Sequence, residues 1–135
     1  MKYQFVIEGP PKTKKNSMRI FRNKKTGAPF ITQSAQQKAW ARDAVRQLRE
    51  AMRISDDILE EQAFPVSDLV NMRAVVYRER ATGDLLNYLA AVSDALEAAG
   101  VIVNDKQVVS LDGSRLDKDA KRPRVEVELM TLEST

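Results

Sequence analysis

The chain has 135 residues, 43% hydrophobic and 30% charged, with a formal net charge of +3. This is the make-up of an ordinary globular domain long enough to bury a core, and no apolar run approaches the ~20 residues of a membrane span. It contains no cysteine and no histidine, which excludes disulfides, thiolate and imidazole metal sites, a cysteine nucleophile and any serine–histidine relay.

Residues 2–8, "KYQFVIE", alternate and predict a strand. The "GPP" that follows closes off any signal-peptide core, so a cytoplasmic protein is expected. "GPPKTKKNS" at 9–17 is a loop. "MRIFRN" at 18–23 and "APFITQ" at 28–33 predict short strands joined by a "KKTG" turn. Ser34 caps a helix over 35–53, whose apolar stripe runs through Ala39–Trp40, Ala44–Val45, Leu48 and Met52. "ISDDILEEQAFP" at 54–65 reads as an acidic connector with one helical turn. A strand over 69–80, a turn at 81–83 and a helix over 84–99 follow, the helix closed by Gly100. Residues 108–117 form a strand or a hairpin turning at Asp112–Gly113, and "RVEVELM" at 124–130 is the last strand. No repeat or long linker divides the chain, so one domain over 1–135 is expected. The order β-β-β-α-β-α-β-β predicts an α/β fold of the α+β type, a mixed sheet with two main helices packed on it.

Charge is unevenly placed. From Gly9 to Arg42 there is no acidic residue, while Lys12, Lys14, Lys15, Arg19, Arg22, Lys24, Lys25, Lys38 and Arg42 all fall there. Arg115, Lys118, Lys121, Arg122 and Arg124 form a second basic group. This asymmetry suits a polyanion partner. Lys12, Lys14, Lys15 and Arg19 are candidate phosphate contacts, with Asn16 beside them; Lys106, Lys118 and Arg122 extend the set. Trp40, Phe21 and Phe30 sit in core-like patterns.

Acids and amides punctuate the helix over 84–99 and the chain after it. Asp84 follows Gly83 and is a natural N-cap. Asn87 and Asp94 lie roughly 180–200° around the helix from Leu85 and about 10.5 Å apart along it, so they do not share one ion. Asp105 and Asp112 suit turns. Without histidine or cysteine, any metal must be bound by oxygen, which selects Mg²⁺ or Mn²⁺. Hydrolysis must then run on carboxylates, lysine or metal-bound water. A shared site for Asp84 and Asp105 requires the chain after Gly100 to fold back toward Asp84.

The stretch "GDLLNYLAAVSDALEAAGVIVNDKQV" at 83–108 resembles the signature of RusA-type Holliday-junction resolvases of bacteria and their phages. That signature runs Asp-x-Asp-Asn, a lysine, Asp-Ala-Leu, a glycine and Asp-Asp-x-Gln-Val. Asp84, Asn87, Asp94-Ala95-Leu96, Gly100, Asp105, Gln107 and Val108 fall in step with it. "GPPKTKKNS" and "DGSRLDKDAKRPRVEVEL" are similar to flanking motifs of a phage branch.

The resemblance implies a homodimer that binds four-way DNA junctions in recombination and repair. It implies cleavage with Mg²⁺ or Mn²⁺ held by clustered aspartates, helped by a lysine. Carried over, it makes Asp84 and Asp105 the catalytic metal ligands. Asp112 is a further candidate ligand, and Asn87, Asp94 and Asn104 are supporting residues. The chain departs from the signature at three places. Leu86 stands for the second acid, Ala90 for the lysine and Asn104 for the first acid of the pair. The expectation is a metal-dependent junction endonuclease; the alternative is a catalytically impaired branched-DNA binding module.

Overall fold

The structure, a computed structural model, describes residues 1–13, 18–22, 24–27, 29–33 and 35–132, with only the backbone described in 18–22 and 29–33. Ser34, the expected helix cap, lies outside them. Strand β1 (Lys2–Glu8) is followed by β2 (Met18–Arg22) and β3 (Pro29–Gln33), then α1 (Ala35–Leu59), β4 (Val70–Arg78) and α2 (Leu85–Ala99). A single 3-10 turn (Asp105–Gln107) leads into β5 (Val108–Ser110), β6 (Arg115–Lys118) and β7 (Arg124–Thr131).

A five-stranded mixed sheet carries the molecule, and β2 and β3 pair as a separate antiparallel two-stranded unit. β7 lies between β1 and β4 and is antiparallel to both. The other edge of β4 is taken by two short strands in succession, both parallel to it. β5 pairs at Val70–Asn71 and β6 at Val75–Arg78. The expected hairpin at Asp112–Gly113 is therefore a kink in one sheet edge. Gly113 is needed there: its φ is +87°, and a Cβ would come within 2.8 Å of the Arg73 side chain.

Period-2 alternation places Phe5 and Ile7, then Val70, Met72, Ala74 and Val76, then Val125, Val127 and Leu129 on one face. Both helices cover that face, α1 over β1 and α2 over β4, and they touch each other. α1 contributes Trp40, Ala44, Leu48 and Met52. α2 contributes Leu89, Val92, Leu96 and Ala99 among others; the expected α1 stripe is buried except for exposed Ala39 and half-buried Val45. Helix α2 ends as expected, with Gly100 left-handed at φ 84° and its N–H turned back to Glu97 and Leu96 carbonyls.

Helix α1 corrects one expectation. It runs to Leu59, through half of the expected acidic connector. Arg53 holds the extra turn from inside the helix, bonding Glu50 three residues back and Asp57 four residues ahead. The helix then stops at Glu60, which takes a left-handed φ of 54°, a stop that no glycine announces.

Candidate functional site

Three residues fix the approach to α2. The Arg78 guanidinium, at the end of β4, donates to the carbonyls of Thr82 (2.9 Å) and Gly83 (3.1 Å). The Tyr88 hydroxyl donates to the Thr82 carbonyl at 2.9 Å. Asp84 then caps the helix: its Oδ1 accepts from the Asn87 N–H at 3.0 Å, and its Oδ2 from the Asn87 side-chain amide at 2.9 Å. Asp84 is therefore the N-cap its position suggested, and Asn87 is the partner that orients it.

The chain after Gly100 turns back against α2, but Asp84 does not share the depression that Asp105 lines. Val101 and Ile102 are buried, and Ile102 bridges to Val66. Gln107 locks the return. Its side-chain oxygen accepts from the Val103 and Asn104 N–H groups at 2.8 and 2.9 Å. Its amide donates to the Val66 and Asp68 carbonyls at 2.7 and 2.9 Å. Asn104 caps the short turn through the Lys106 N–H, and the Asp105 N–H donates to the Glu97 carboxylate at 2.8 Å. Sequence reasoning gave no role to Gln107, Arg78 or Tyr88. Gln107 lay within the signature, but two of its four backbone bonds, to Val66 and Asp68, depend on residues some forty positions away. Nothing local marked Arg78.

This return sets Asp105 against α2. Leu86, Leu89, Ala90 and Ser93, at helical spacing and so on one face, line an open depression with Asp105, Ser110, Met72, Val108, Val109 and Leu111. Its volume is about 450 Å³. Two of the three positions where the chain departs from the resolvase signature thus meet at the one carboxylate that lines the depression. Leu86 is 71% exposed at its mouth.

The other expected residues are dispersed. Asp84 and Asp112 do not line this depression. Asp112 sits on the kink between β5 and β6, where its backbone N–H and carbonyl both bond the Asn71 side chain. Asp94 is exposed on α2. Among the described residues, no group of three or more acids stands close enough to hold a metal ion, and the only acid outside them is Glu133. Mg²⁺ requires hard oxygen donors; the apolar walls around Asp105 offer few. The donor set does not fit a resident ion held by clustered aspartates.

Of the expected phosphate contacts, Lys14, Lys15 and Asn16 lie outside the described residues, as does the side chain of Arg19. Lys12 stands 3.5 Å from Glu79, and Arg122 is paired with Glu8. Lys106 and Lys118 are exposed. Arg124, in the same basic group, is built into the sheet. It stacks 3.9 Å over the Tyr77 ring and bonds Asp119 and Glu126. The backbone N–H of Arg122 and the guanidinium of Arg124 hold the Asp119 carboxyl below its usual range.

No helix among the described residues is long and apolar enough to cross a membrane. No curated protein matches the chain. The family model described as endodeoxyribonuclease RusA matches residues 8–130, nearly the whole of the sequence, and the chain belongs to that family.

Proposed function

We propose that this chain binds four-way or otherwise branched DNA as a homodimer, in recombination or repair, and that it does so without cutting the junction. The single observation that carries this is the meeting of Leu86, Ala90 and Asp105 in one depression. An isobutyl group supplies no oxygen to a cation, and a methyl group supplies no charge to a phosphate that becomes more negative as its bond breaks. The basic groups outside the depression, Lys106 and Lys118 among them, retain what binding needs. Sequence-independent affinity for DNA comes from neutralised phosphates, not from the cleavage centre.

The experiment is a binding titration in chelator, with a four-way junction and a linear duplex of the same sequence. The expected result is tighter binding to the junction, weakening steeply as salt rises. Equal affinity for both, or no binding at low salt, contradicts the proposal. A second reading is a bacterial or phage-encoded junction endonuclease using Mg²⁺ or Mn²⁺. One observation favours it: Asp84 and Asp105 are both solvent-exposed, and both match acids of the signature. For that reading Asp84 and Asp105, which do not line one depression, would each have to reach an ion brought with the substrate phosphates.

A further inference from the structure

The outer face of α1 has no part in the depression beside α2. Lys38, Arg42, Arg46, Arg49 and Arg53 line an open groove of about 790 Å³ that is bounded on the far side by Ala98 of α2. At ~100° per residue these five cations fall within an arc of about 80°, and at ~1.5 Å per residue they extend over roughly 22 Å. Of the residues that α1 buries, Trp40, Ala44 and Leu48 lie about 120° or more from the centre of that arc and Met52 about 80°. Glu50 is the one acid in the lining.

The cations are not consumed by the fold. Lys38 and Arg42 are exposed and have no ion-pair partner among the described residues. Arg46 pairs with Asp43 at 2.7 Å and Arg53 with Glu50 and Asp57. All of these are exposed in-helix pairs of the weakly stabilising kind, so a phosphate can replace the carboxylate at little cost. Arg49 donates to the Ala98 carbonyl at 3.3 Å, which leaves most of its guanidinium donors available.

We propose that this face of α1 holds the phosphate backbone of a duplex arm of the branched DNA, at a distance from the crossover. The proposal rests on the junction-binding function. Charge complementarity favours this occupant: a straight row of cations roughly 22 Å long matches about six base-pair steps of one strand. It does not match a compact ligand, for which the open groove has no enclosing wall. An acidic protein partner predicts a different outcome in the same experiment.

The test compares wild type with Lys38→Gln/Arg42→Gln, two exposed changes that keep good helix formers, on junctions with long arms and with arms cut to the crossover-proximal base pairs. The expected result on long arms is about a tenfold loss of affinity at moderate salt and a fall of about two in the slope of log K against log salt. On short arms the two proteins should bind alike. A variant with a wild-type circular dichroism spectrum and an unchanged slope on long arms overturns the proposal, as does an equal loss on short arms. Wild type that ignores the junction altogether would instead contradict the function on which the proposal rests.

Discussion

The segment from Asp84 to Val108 and the outer face of α1 are both rich in polar groups, yet they use them differently. In the segment, Asp84 closes the first turn of α2, Asn104 caps the 3-10 turn, and Gln107 ties four backbone groups together. On α1 the cations face solvent and bond only within the helix or to one carbonyl. The difference teaches which side chains folding itself requires. Where the chain matches the resolvase signature, several of the matching residues hold backbone. Where it departs, at Leu86 and Ala90, the positions are exposed on α2 and no backbone bond depends on them. The framework of the signature thus rests on residues that hold backbone, and the positions that differ from it carry no such duty.

The largest effect expected from breaking this contrast is a gain. Leu86→Asp combined with Ala90→Lys puts an acid and a cation beside Asp105 at positions that fold without them. Magnesium-dependent nicking of a four-way junction should rise by about 10² or more over wild type, read on denaturing gels. No gain from a folded double variant would mean that the depression is not the cleavage centre.

Removing a framework residue should act on stability instead. Gln107→Ala leaves four buried or half-buried backbone groups without their partner, and a loss of about 2–3 kcal/mol is expected by urea unfolding. A change below about 0.5 kcal/mol would show that water satisfies those groups and that the return of the chain is held elsewhere. Asp84 sits between the two classes. Asp84→Ala should cost about 1 kcal/mol and Asp84→Asn a few tenths, because asparagine also caps helices. Junction affinity in chelator should be unchanged in Asp84→Asn. A large loss of binding there would give Asp84 a role beyond the cap.

The smallest effect is on pH dependence. Asp119 has a folded pKa lowered from 3.8 by the Arg122 N–H and the Arg124 guanidinium. A depressed carboxylate stabilises the fold above its unfolded pKa, and that contribution is lost as pH falls through the folded value. Melting temperatures of wild type and Asp119→Asn should therefore differ most near neutral pH and converge in acid below pH 3.8. A difference that grows on acidification would reverse the sign.

Much of the frame was legible in the sequence, for local reasons. β1 and β7 alternate cleanly, and α2 carries both an acidic N-cap and Gly100. The end of α1 was not legible, because Glu60 takes a left-handed turn without glycine and the extra turn depends on Arg53 reaching Asp57. The split of residues 108–118 into two strands depends on β4, some forty residues earlier, as partner for both. Which of the named residues stand together was not legible. Asp84 and Asp105 were named together. Yet Asp105 meets Leu86 and Ala90 through a return locked by Gln107, and Asp112 was drawn onto a sheet-edge kink by Asn71. Such contacts over long sequence separations leave no periodic trace.

We propose that the signature's framework is kept here without its cleavage chemistry. The most direct test incubates wild type with a mobile four-way junction in Mg²⁺, in Mn²⁺ and in chelator, following binding and strand scission together. The account predicts a retained complex in all three conditions and no paired nicks in any. Symmetric paired nicks that appear only with a divalent ion would contradict it and establish Asp84 and Asp105 as a sufficient pair.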